Sequence, residues 1–298
     1  MLRTTSRSNP PSDKQKSAAV KHTSGNLRYG KIRRALKYTV WIVAPILYLG
    51  LLAQPVAAQG SGAWEPTGSM MEARTGAAAA LLPSGRVLVT GGDGALGPLS
   101  GAELYDTGGG FSAAAPMHHA RSRHASTVLR DGRVLVTGGT TTDGGVSSSA
   151  EIYDYTTNSW SIVGTMAEAR SGHTATLLKD GRVLITGGGN SLSASSTLET
   201  FDPATNGFSS AGVLSSARKN HAAARLSDGR VLIVGGSNGI TALASVDIYD
   251  PSTGLVFPGT VLSTARAGLS ATALLNGNVL VAGGNNGSSD LATAEVYD

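Results

Sequence analysis

Short apolar runs recur along most of this chain, and each runs into a pair of glycines. Val87–Thr90 precedes Gly91-Gly92, Val134–Thr137 precedes Gly138-Gly139, and Val183–Thr186 precedes Gly187-Gly188. Val231–Val234 before Gly235-Gly236 and Val279–Ala282 before Gly283-Gly284 complete the series. The first glycines of the pairs lie 47, 49, 48 and 48 residues apart. The runs do not alternate between apolar and polar residues, which predicts strands covered on both faces. Just before each run stands a turn signal such as Asp131-Gly132, Asp180-Gly181 or Asp228-Gly229, and the spacing predicts a two-residue type I′ hairpin.

The rest of each unit is also strand-like. Upstream of the hairpin, a segment of small residues opens on an arginine: Arg74, Arg121, Arg170, Arg218 and Arg266. After each glycine pair come ten or eleven residues rich in Gly, Ser, Thr and Asn, a composition that predicts an exposed loop. An acid then opens a third strand at Glu103, Glu151, Glu199, Asp247 and Glu295, 48 residues apart. A fourth follows turn chemistry such as Asp202-Pro203 and carries Phe111, Trp160, Phe208 or Phe257. Four antiparallel strands repeated every 48 or so residues predict the blades of an all-β propeller. Five copies of the first three strands are present, but the fifth lacks its outer strand, while 64–70 reads as an outer strand without a blade. Pairing the two would close a five-bladed ring with no free edge. The alternative is a piece of a six- or seven-bladed ring.

Over 64–298 these elements resemble the kelch-repeat family. The residues that carry the resemblance are the Arg with a His three positions later (Arg121 and His124, Arg170 and His173, Arg218 and His221), the strand with its double glycine, the Tyr-Asp pair and the downstream aromatic. Ala77 and Leu269 stand where the other copies have His, and three copies have Phe for Trp. The resemblance implies a kelch-type β-propeller of the galactose oxidase-like, secreted bacterial kind. It also brings an enzymatic alternative, since kelch-like propellers include galactose oxidase and sialic-acid epimerases. The copper radical site of the oxidase needs a cysteine, and this chain has none.

Charge and composition divide the chain. Residues 1–37 hold ten Lys or Arg and one acid, a net +9, so the overall +4 leaves about −5 for the remainder. No basic cluster remains there to neutralise phosphates, so no nucleic-acid partner is expected. The apolar run 38–53 and the small residues before Gln59 have the layout of a signal peptide cleaved after Ala58, or of an uncleaved anchor. Either places the propeller, 59–298, outside the cytoplasm, with the membrane touched only through the anchor. Absence of cysteine excludes disulfides and thiolate metal sites.

Candidate chemistry sorts by whether it repeats. The five Arg and five acids read as one structural ion pair per blade, because a charge at a packed sheet needs a partner. The ten paired glycines read as backbone devices. Gly92 to Gly97 matches a dinucleotide fingerprint, but a strand follows where a helix is required, so it reads as a loop. His124, His173 and His221 hold equivalent places near the channel mouth, where three imidazoles could bind a metal or other ligand; because His belongs to the repeat, packing and hydrogen bonding are the preferred reading. Non-repeating loops on one face are where binding concentrates on a rigid scaffold. That face offers Asp93, Asp143, Asn190, Asn238 and Asn285, together with His118, His119 and Arg123. No catalytic set, metal ligand set or cofactor motif is singled out. The expectation is a binding or scaffold module for a protein or polysaccharide; the alternative is a metal-free sugar isomerase or epimerase.

Overall fold

The computed structural model describes residues 65–298, and the expected leader and anchor lie outside them. No helix is present among the described residues. Blade 1 is built from β1 (Ala78–Leu81), β2 (Val87–Thr90), β5 (Ala102–Asp106) and β6 (Gly110–Ala114). Between its second and third strands the fingerprint-like glycines form a two-residue ladder, β3 (Asp93–Gly94) on β4 (Gly97–Pro98). Blade 2 holds β7 (Ala125–Val128), β8 (Val134–Thr137), β9 (Ser149–Asp154) and β10 (Ser159–Thr165). Blade 3 holds β11 (Thr174–Leu177), β12 (Val183–Thr186), β13 (Thr197–Asp202) and β14 (Gly207–Val213). Blade 4 holds β15 (Ala222–Arg225), β16 (Val231–Val234), β17 (Val246–Asp250) and β18 (Leu255–Pro258). Blade 5 has three strands, β19 (Ser270–Ala273), β20 (Val279–Ala282) and β21 (Ala294–Tyr297).

All pairings are antiparallel, and the innermost strands of successive blades are neighbours, β1 with β7, β7 with β11, β11 with β15 and β15 with β19. The core lies between blades. Every residue of β8, β12 and β16 is buried, whereas β2 and β20 alternate between buried and partly exposed residues. Blades 2 to 4 are therefore covered on both faces and the two end blades on one.

Three expectations are corrected. The N-terminal segment does not complete blade 5. Thr67 and Gly68 instead dock on the outer turn of blade 1, where Gly68 N donates to Gly109 O at 2.8 Å and Thr67 Oγ1 lies 3.1 Å from Tyr105 Oη. Gly164 meets Asn206 O of the next blade in the same way, at 3.1 Å. The segment thus takes the place an outer strand of a preceding blade would take.

The hairpins are not two-residue turns. Gly132 N donates to Leu129 O and Leu129 N to Arg133 O, with φ 87° at Gly132 and no positive φ at Asp131. This is a three-residue loop ending on a left-handed glycine, and Asp131 Oδ1 accepts from Arg133 N at 3.1 Å.

Phe257 does not occupy the place of the other outer-strand aromatics. Phe111, Trp160 and Phe208 lie opposite Tyr105, Tyr153 and Phe201, with ring centroids 5.0–5.1 Å apart. In blade 4 Val256 lies opposite Tyr249, so Phe257, one residue on, turns to the other face and is exposed.

Candidate functional site: the loop face

The repeating charges form one clamp per blade. Each arginine reaches the acid of its own blade: Arg74–Glu103 at 2.5 Å, Arg121–Glu151 at 2.7 Å, Arg170–Glu199 at 2.6 Å, Arg218–Asp247 at 2.7 Å and Arg266–Glu295 at 2.9 Å. The guanidinium also donates to the carbonyl of the first paired glycine, as Arg170 Nη1 does to Gly187 O at 2.7 Å. The second carboxylate oxygen accepts a backbone N–H from the turn ahead of the arginine, as Glu199 does from Ala167 at 2.8 Å. One ion pair therefore ties together the ends of three strands. Burial alone would raise the Glu151 carboxyl; the His118 N–H and the Arg121 charge outweigh it and hold it below the usual carboxylate value.

His124, His173 and His221 are buried, with little surface open to a ligand on the loop face. Each sits in the seam with the preceding blade, where its Nε2 meets a threonine hydroxyl: Thr90, Thr137 or Thr186, each at 2.8 Å. The threonine is the residue just before the glycine pair. A Cβ on Gly138 would stand 2.3 Å from Arg170 O and 2.8 Å from His173 Cε1, so the first glycine makes room for the next blade's histidine. Burial, followed by the adjacent arginine charge, pushes all three imidazoles down to about 3. Among the described residues no three or more His, Asp or Glu side chains are placed to hold one metal ion.

The channel mouth is ringed by one residue per blade, the one immediately before the His position of the repeat. Gly76, Arg123, Gly172, Asn220 and Gly268 all adopt left-handed backbone, with φ between 53° and 67°. They are hydrogen-bonded in sequence: Arg123 N to Gly76 O, Gly172 N to Arg123 O, Asn220 N to Gly172 O and Gly268 N to Asn220 O. Arginine is an unusual occupant of that conformation, which Gly and Asn tolerate better. Arg123 is exposed, and its guanidinium has neither an ion-pair nor a hydrogen-bond partner among the described residues.

Arg123 borders a cleft of about 200 Å³ with Thr140, Ser171, Asn190, Lys219 and Asn220. Lys219 Nζ donates to Asn190 O at 2.9 Å, and no carboxylate lines the cleft. Sequence reasoning missed Lys219 and Asn220, although their place beside the repeat Arg and His was visible.

The remaining loop candidates shape loops. Asn190 Oδ1 accepts from Leu192 N and Ser193 N, and Asn238 Oδ1 from Ile240 N and Thr241 N. Asp143 takes the Thr141 hydroxyl and Gly145 N, and Asn285 bonds Gly287 N and Asp290. Asp93 pairs through its backbone with Thr75. The turns on Asn190 and Asn238 lift Leu192 and Ile240 into solvent, each 91% exposed, and Leu96 is fully exposed on the blade 1 loop.

Residues 111–284 match the family model described as the KLHDC2/KLHL20/DRC7 Kelch-repeats domain. The chain belongs to the kelch-repeat family. The matched kelch segment runs from the outer strand of blade 1 to the last glycine pair, so it covers the clamps of blades 2 to 4 and the seams between them. No curated protein matches the chain.

Proposed function

We propose that this kelch propeller is a non-enzymatic protein-binding scaffold whose loop face takes a partner segment carrying carboxylates beside aliphatic side chains. The observation that carries the reading is the pairing of an unneutralised cationic cleft, Arg123 with Lys219, with the exposed tips Leu192 and Ile240. Exposed aliphatics on rigid loops mark a protein contact, and the charges select its sign. A polysaccharide offers hydroxyls to Asn190 and Ser191 but makes no use of two cations or of the aliphatic tips. A sugar isomerase needs an acid or base at the reacting centre, and the absence of a carboxylate from the cleft lining weighs against it.

The test is an array of acidic peptides with interspersed Leu, Ile and Val, set against a glycan array, both probed with the full chain. Arg123→Asn keeps a residue suited to the left-handed backbone, so the variant isolates the charge. Binding to acidic peptides that falls at least tenfold in Arg123→Asn and in Lys219→Gln is the expected result. Glycan binding without peptide binding, or sugar isomerisation by the protein, would overturn it.

The same proposal places the propeller outside the cytoplasm, supported by the basic segment 1–37, the apolar run 38–53 and the small residues before Gln59. A mature protein starting at Gln59 is expected from N-terminal sequencing after export, and an uncleaved chain recovered with cytoplasmic markers would contradict it.

A further inference from the structure

Blade 2 departs from the other four in the turn ahead of its clamp arginine. Where the others carry Met71-Glu72, Ala167-Glu168, Ser215-Ser216 and Ser263-Thr264, it carries His118-His119. In every blade the clamp acid accepts a backbone N–H from this turn, and here, as in blade 5, it accepts two, from His118 N at 2.7 Å and His119 N at 3.1 Å. The imidazoles add a further layer. His118 Nδ1 lies 3.0 Å from Glu151 Oε2 and His119 Nδ1 lies 3.3 Å from Oε1.

A carboxylate only accepts hydrogen bonds, so each Nδ1 is a protonated nitrogen, and in the neutral form of either ring the lone pair is on Nε2. Glu151 itself is fully buried and held by Arg121, so it is a fixed anchor. The rings are not buried: their side chains are 47% and 50% exposed, and neither Nε2 has a hydrogen-bond partner among the described residues. A carboxylate behind the ring, fixing the tautomer and raising the basicity of the opposite nitrogen, is the support that metal-binding histidines have. Blades 1, 3, 4 and 5 close the same turn without imidazoles, so the clamp alone does not require the pair.

We propose that His118 and His119 form a two-imidazole site for a divalent transition-metal ion of the zinc or nickel type, bound through Nε2 with water in the remaining positions. Imidazole nitrogen suits these ions, and the absence of thiolate or nearby free carboxylate disfavours softer and harder ones. Of the other histidines, three are locked in the seams and His22 lies outside the described residues.

The experiment is calorimetric titration of the untagged full chain with Zn²⁺ and with Ni²⁺ at neutral pH. The variants are H118S/H119S, which copies Ser215-Ser216 of blade 4 and so suits the turn, and H22Q. One saturable site is expected, weakened more than tenfold in H118S/H119S and unchanged in H22Q, with the His118 and His119 ring signals shifting on Zn²⁺ addition in NMR. No saturable binding to the wild-type chain, or equal binding to H118S/H119S with its melting curve intact, would overturn it.

Discussion

Three seams of this propeller are closed by the same two residues, a threonine hydroxyl and a neutral imidazole, and the fourth by neither. At that fourth seam Val234 replaces the threonine and Leu269 the histidine, and the two are neighbours in one apolar cluster. The polar pair has been exchanged as a unit, which gives a natural template for mutagenesis. His173→Leu alone leaves Thr137 buried without its partner and is expected to cost about 1–3 kcal/mol. Adding Thr137→Val should recover most of that, and urea unfolding of both singles and the double variant measures the coupling. The imidazoles also set a pH dependence. Their folded pKa of about 3 lies below the unfolded value of 6.5, so below pH 6.5 the unfolded chain takes up protons that the folded chain refuses. Stability is therefore full above pH 6.5 and falls toward pH 3 by about 1.4 kcal/mol per pH unit for each histidine. A melting series from pH 7 to pH 5.5, above the carboxylate range, is expected to slope more steeply for the wild-type chain than for Thr137→Val/His173→Leu.

At the scale of the element, the clamp holds each four-stranded unit at its loop end. Removing one partner of a buried pair strands the other charge, so Glu199→Ala should lose about 3–5 kcal/mol. Asp180→Ala, which opens the half-exposed Arg182–Asp180 pair, should lose less than about 1 kcal/mol. Denaturant midpoints of the two variants distinguish a clamp from a surface contact. This level was largely legible in the sequence, because an Arg and an acid repeated five times at a fixed interval have few arrangements open to them. Turn type was not, since Asp-Gly fits both a two-residue turn and the last two places of a three-residue loop. The outward face of Phe257 has a different cause: the turn has the same length in blades 2 to 4, and the aromatic stands one place later along its strand, which puts it on the opposite face.

At the scale of the molecule, blades 2 to 4 are sandwiched between neighbours among the described residues, and Leu81, Leu275 and Val296 on blades 1 and 5 are exposed. In a repeat architecture stability is a sum of unit and seam terms, so the ends should open first. Hydrogen exchange followed by mass spectrometry is expected to show slow amides in β8, β12 and β16 and faster ones in β1, β19 and β21; uniform protection across all five blades would contradict this. The blade number was readable from the period, whereas the position of the N-terminal segment was not, because Thr67 and Gly68 can meet any blade's outer turn. The candidate site was half legible. Arg123 stood out as a departure from the repeat, while Lys219, Asn220 and the exposed tips acquire meaning only when the left-handed ring and the loop turns bring them to one face.

The identical seams have a consequence for folding. Thr90, Thr137 and Thr186 present the same hydroxyl and the same glycine gap, and His124, His173 and His221 answer with the same ring. Any of these edges fits any other, and a second molecule can supply it as readily as the blade next in sequence. Order along the ring is then set by short connections between successive blades, with only Val234 and Leu269 acting as a label. Refolding yield should accordingly fall as chain concentration rises, through blades exchanged between molecules, and rewriting one of the three seams as Val and Leu should shift that balance by giving another boundary an address of its own.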